Sequence, residues 1–214
     1  MKINVKLLES NSQVRKLILN ALMGDVQNTI NKSIRPIESK IKQLVLDALK
    51  SEPEYESLKG GQLRYELGIP DSTSIDLVVQ SLVDTLQLTT KPLKITNLGL
   101  GGGFQLTMIG RGDLDNISNS DFASVFDSNG GYSLPWLKWL LFEGTKPIIK
   151  NYEVRMGPNP NSRTGMAVMV KSSDDWKVPP QFAGTASSNW ITRALSTIEE
   201  KVNNTIRTTI ENNV

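Results

Sequence analysis

The chain has 214 residues and a mass of 23.7 kDa, enough to bury a core as one domain or as one domain with a substantial insertion. It contains no cysteine and no histidine, which excludes disulfides, thiol nucleophiles, thiolate metal sites, and the serine triads and zinc-protease motifs that need imidazole. Lys+Arg 24 against Asp+Glu 22 leaves a formal net charge of +2, too balanced for bulk electrostatics to demand nucleic acid as the partner.

Met1 to Glu9 is charged throughout and lacks the apolar stretch of a secretory signal, and no apolar run approaches the roughly 20 residues that cross a bilayer. A soluble chain made in a cytoplasm, with no membrane partner, is expected. Ser10-Asn11-Ser12-Gln13 has capping-box spacing and predicts a helix start. Behind it Val14, Ile18, Leu22, Val26, Ile30, Ile34, Ile37, Ile41, Leu44, Val45 and Leu49 recur every three or four residues, which reads as one continuous apolar stripe. Pro36 is expected to kink this helix. About 38 residues make about 57 Å of helix, longer than the roughly 44 Å diameter of a compact chain of this size. The helix therefore kinks around its own domain, protrudes, or packs on another chain.

Glu52-Pro53-Glu54 ends that helix, and short helical turns follow, punctuated by Gly60 and Gly61 and stopped by Gly68 and Pro70. A helix is predicted from about Ser74 to Leu86. Beyond it Leu86, Leu88, Leu93 and Ile95 alternate with polar residues, and Phe104 to Ile109 repeats the alternation, predicting a hairpin or meander with Gly101-Gly102-Gly103 at a flexible tip. Residues 111–132 are polar and turn-rich, which suggests a long loop with one helical turn near Phe122 to Phe126. Pro135 opens a short buried helix carrying Trp136 and Trp139. Strands are predicted over Lys146 to Val154 and Thr164 to Lys171. The turn Gly157-Pro158-Asn159-Pro160-Asn161-Ser162-Arg163 joins them, with Arg155 and Arg163 on its flanks.

A last helix begins near Ser187-Ser188-Asn189 and carries Ile191, Ala194, Leu195, Ile198, Val202, Ile206 and Ile210. Its distal part is rich in asparagine and β-branched residues, so it either frays or leans on a neighbour.

Few residues signal chemistry. Gly99 to Gly103 matches neither dinucleotide nor phosphate-loop spacing, and Arg111-Gly112-Asp113 is a tripeptide that arises often by chance. Asp113, Asp115, Asp121 and Asp127 are dense but do not follow calcium-loop spacing. No carboxylate pair is singled out for glycoside hydrolysis. No catalytic, cofactor or metal residue is assigned, no cofactor is expected, and the chain reads as a non-enzyme. Trp136, Trp139, Trp176 and Trp190 are the large apolar anchors, equally at home in a core or in an interface.

The segment Tyr55-x-Ser57-Leu58-x-x-Gly61-x-Leu63-Arg64, the turn Ser162-Arg163-Thr164-Gly165 leading into a strand, and Trp176-Lys177-Val178-Pro179-Pro180-Gln181-Phe182 followed by Asn189-Trp190-Ile191-Thr192-Arg193-Ala194-Leu195 resemble the neck proteins of tailed bacteriophages. The closest group is the tail-completion, or head-to-tail joining, proteins. The resemblance covers the first and last thirds and implies a single α+β domain over 1–214: long N- and C-terminal helices packed on an antiparallel sheet, with residues 86–150 as an insertion.

It also implies a structural virion protein at the neck or tail end, assembled in the host cytoplasm into a sixfold or twelvefold homo-oligomeric ring. That ring would contact portal or connector and tail proteins and let DNA pass its lumen with at most nonspecific contact. A tail terminator or other tail-end ring is the alternative, and a tail-associated glycan hydrolase a more distant one. On this reading Arg155, Arg163, Trp136, Trp139, Trp190, Ile206 and Ile210 are the expected interface residues.

Overall fold

A computed structural model describes residues 10–127 and 131–213. Helix α1 runs from Asn11 to Ser51 and begins as its capping box requires: the Ser10 hydroxyl accepts from the Gln13 N–H, and Gln13 accepts from the Ser10 N–H at 2.8 Å. Pro36 lies within α1, on its exposed side, and does not end it. Helix α2 (Pro53–Gly60), α3 (Gln62–Glu66) and α4 (Thr73–Asp84) follow.

Next come two long strands, β1 (Gln87–Thr96) and β2 (Gly99–Thr107), paired antiparallel about a turn at Asn97 and Leu98. Gly101, Gly102 and Gly103 are therefore not at the tip but within β2. The register slips opposite them, between Lys91 and Lys94, where Pro92 has no N–H to give to the ladder.

The stretch expected as a loop is more ordered than its polarity suggests. It holds α5 (Arg111–Ser118), a 3₁₀ turn (Asp121–Ala123) and a short ribbon of β3 (Val125–Asp127) with β4 (Tyr132–Leu134). The Asp113 carboxylate starts α5 by accepting from the Gly110 N–H at 2.9 Å, and Ile117 seats the helix by entering the core. Helix α6 (Trp136–Lys138) widens into a π turn over Trp139–Glu143.

The predicted strand from Lys146 is shorter than expected. Strand β5 covers Tyr152–Met156, and β6 covers Ala167–Lys171. Pro147 precedes two residues bonded elsewhere: the Ile148 N–H donates to the Trp176 carbonyl at 2.8 Å, and the Trp176 N–H to the Ile149 carbonyl at 2.8 Å. The sheet component is thus three separate two-stranded antiparallel ribbons, and the class is the expected α+β with long terminal helices.

The terminal helix α7 spans Trp190–Glu211, capped by Asn189, whose side chain accepts from the N–H groups of Ile191 and Thr192. It lies antiparallel on α1. The Trp190 indole reaches the carbonyl of Leu49, Lys40 Nζ donates to Thr209 Oγ1 at 3.1 Å, and Asn213 Nδ2 donates to Ser33 Oγ at 3.1 Å. The distal end of α7, with Ile206 and Ile210 half-buried against the core, leans on the chain's own α1. One core joins α1, α4 and α7 with Leu86, Leu88, Ile117, Val125, Trp136 and Leu140 from the middle of the chain.

Candidate functional site

Two surface features stand out, and the first is the N-terminal half of α1. An i to i+4 step advances about 400° around a helix, so Val14, Ile18, Leu22, Val26 and Ile30 drift by about 40° per step. Over four steps the drift is about 160°, and the sequence's apparent stripe turns from one side of the helix to the other. The structure follows this geometry. In the second half Ile30, Ile37, Ile41, Val45, Ala48 and Leu49 are buried, those from Ile37 on within the core shared with α4 and α7, whereas Leu17, Ile18, Leu22 and Val26 are 62%, 53%, 48% and 36% exposed.

A different face of this segment, with Leu19 and Met23 partly covered, meets the β1–β2 ribbon. Gln27 Oε1 accepts from the Leu93 N–H at 3.4 Å, and Arg15, Lys16 and Leu19 line a groove with Ile95 and Thr96. Residues 11–29 of α1 and the ribbon thus form an arm with one apolar face left open. Leu98, 95% exposed, sits at the ribbon's tip.

The second feature is the turn between β5 and β6. Asn159 organises it: the Ser162 N–H donates to the Asn159 carbonyl at 3.0 Å, and the Asn161 N–H to the Asn159 side chain at 3.0 Å. Arg155 stands on β5, exposed, with its Nε 2.9 Å from Glu153 Oε1; a pair this exposed adds little stability. Arg163 takes another course and lies back on the corner between α3 and α4. A Cβ added to Gly68 would stand 3.0 Å from Arg163 Nη1, and Gly68 has φ of +67°.

Turn, corner and the 121–126 segment enclose a cleft of about 500 Å³, with Ile69, Asp71, Asp121, Phe126, Ser162 and Arg163 in its walls. Ser162 Oγ is buried there with no hydrogen-bond partner among the described residues.

The tryptophans divide. Trp136 and Trp190 are fully buried, and their indole N–H groups donate inward, to the Phe122 carbonyl at 3.3 Å and the Leu49 carbonyl at 2.9 Å. Neither presents surface to a partner, so these two expected interface residues are core residues instead. Trp139 is half-buried and meets Trp176 edge-on at 6.0 Å. Ile206 and Ile210 keep part of their surface exposed.

Sequence reading missed two polar clusters. Glu54, fully buried in the first turn of α2, pairs with Arg193 of α7, and burial pushes its carboxyl above the ordinary value despite the arginine. Tyr55 donates to Asp76 at 2.7 Å, and Lys59 Nζ meets the other oxygen of Asp76 at 2.7 Å. Burial first, then the hydrogen bond and charge of Asp76, push the Tyr55 phenol up to about 12; the Lys59 hydrogen bond holds Asp76 below its ordinary value.

A phenol so hard to ionise beside a carboxylate so hard to protonate makes a poor acid–base pair near neutrality. It makes a good tie between α2 and α4. The signals were present as Tyr55 and Lys59 four apart on one helix face and an unpaired-looking Asp76.

Among the described residues no three acidic side chains converge as a cation cage. No helix among them is long and apolar enough to cross a membrane. Comparison with protein-family models, with curated proteins and with solved structures found no match to this chain.

Proposed function

We propose that this chain is a structural subunit of a homo-oligomeric ring at the head–tail junction of a tailed bacteriophage, joining connector to tail around the path of the DNA. The observation that carries the reading is unpartnered surface. Leu17, Ile18, Leu22 and Val26 stand 62%, 53%, 48% and 36% exposed along the arm, an apolar patch of the kind that marks protein–protein contact.

The motifs at Tyr55 to Arg64, Ser162 to Gly165 and Trp176 to Leu195 direct the reading to the phage neck. In such a ring the work is done by repeated contact, and the Glu54–Arg193 and Tyr55–Asp76–Lys59 ties serve to keep each subunit's shape under load. The test is a phage lacking the gene. Filled heads and separate tails should accumulate; normal infectious particles would overturn the reading.

A further inference from the structure

The arm joins the body through three passes of chain, α1, β1 and β2, and each carries a backbone weakness near the arm's base. In α1 the carbonyl of Lys32 would take the N–H of residue 36, but Pro36 has none to give. Nearer the tip, the Thr29 carbonyl accepts the Ser33 hydroxyl at 2.8 Å, a side-chain bond of the kind that bends helices.

In the ribbon the register slips between Lys91 and Lys94, so Pro92 and Leu93 stand opposite Gly102 alone, as in a bulge. Gly102 and Gly103 hold φ of +158° and +140°, which residues with a Cβ rarely adopt. The Leu93 N–H donates to Gln27 Oε1, which sets this slip about 8 Å along α1 from Lys32. Apart from the bonds of α1 itself, no hydrogen bond or ion pair among the described residues ties 11–26 or 94–101 to the body.

We propose that these three points form one hinge, about which the distal arm, residues 11–28 with 94–101, pivots as a unit against the body. The chain just past α7 sets its rest position: Asn213 Nδ2 donates to Ser33 Oγ at 3.1 Å, and the same hydroxyl donates onward to the Thr29 carbonyl. A relay of two hydrogen bonds thus runs from the end of the chain to the loosened stretch of α1. The pivot aims the open face that carries Leu17, Ile18, Leu22 and Val26, so that a partner seats on it without deforming the body. It is a property of the free chain and does not depend on the ring reading.

Double electron–electron resonance between spin labels tests the hinge, because the chain has no cysteine of its own to label. Asn20→Cys and Leu98→Cys, each combined with Glu200→Cys, span arm and body, while Gln80→Cys with Glu200→Cys lies within the body; all four positions are exposed. Both arm-to-body distance distributions should be about twice as broad as the distribution within the body. Pro36→Ala restores an amide to the Lys32 carbonyl and should narrow the arm-to-body distributions, whereas Asn213→Ala should broaden them. Circular dichroism of each full-length variant verifies folding.

Arm-to-body distributions no broader than the one within the body would overturn the hinge, as would widths that Pro36→Ala leaves unchanged. Either result leaves the ring reading standing, since that is decided by phage lacking the gene.

Discussion

The indole N–H of Trp190 donates to the carbonyl of Leu49 at 2.9 Å, and both residues are buried. The first residue of α7 thereby caps a carbonyl in the last turn of α1, where the helix has no amide of its own to offer. Trp190→Phe keeps most of the ring and loses the donor, with an expected cost of about 1–3 kcal/mol for the stranded carbonyl. Trp190→Ala should cost about 3–5 kcal/mol. Urea titration measures both, and loss of assembly in the alanine variant should accompany loss of folding.

The Glu54–Arg193 pair yields a prediction with a definite pH sign. The folded chain raises the Glu54 carboxyl, chiefly by burial, so it holds that proton more tightly than the unfolded chain does. This contribution favours folding below the ordinary carboxyl value and is lost as pH rises through the raised value. Arg193→Met removes the opposing cation, raises that value further and leaves a buried charge unpaired, at an expected cost of about 3–5 kcal/mol at pH 7. The deficit against the native chain should narrow as pH falls toward 5, and Glu54→Gln should recover most of it at pH 7. Thermal melts across that pH range supply the check.

Gly184 closes the π turn. Its N–H donates to the Leu140 carbonyl at 3.0 Å, and an added Cβ would fall 2.5 Å from that same oxygen and 2.8 Å from Asn189 Cβ. Neither obstacle is the tip of a flexible side chain. Gly184→Ala should destabilise the fold by about 1–3 kcal/mol, read as a lower midpoint in chemical denaturation, and should loosen the cap of α7 with it.

Arg163 and Gly68 are matched by shape. Gly68→Ala meets both a positive φ and the guanidinium at 3.0 Å, for an expected cost of about 1–2 kcal/mol from the backbone. Charge reversal at Arg163, which is exposed, should impair joining of heads to tails beyond any change in melting temperature. An in vitro joining assay, scored by infectious titre, separates the two effects.

The first helix cap, strand alternation and the terminal helices were legible because they depend on neighbours in sequence: Ser10 with Gln13, the start near Asn189, and the alternation from Leu86 to Ile95. The split of α1 into an open and a buried half was written in the same residues, in the 40° drift of i+4 steps, but a list of spacings hides it. Three things were beyond local pattern. Whether Trp190 faces core or partner depends on Leu49, 141 residues away; Ile148 and Ile149 left their predicted strand because Trp176 offered a partner; and Arg163 lies along the α3–α4 corner where Gly68 leaves room.

The claim that most needs testing is position in the particle. Electron microscopy of virions carrying a labelled copy of this chain should place the label at the junction of head and tail, in a sixfold or twelvefold ring. Label found along the tail or at its distal end, or absent from particles altogether, would contradict the account.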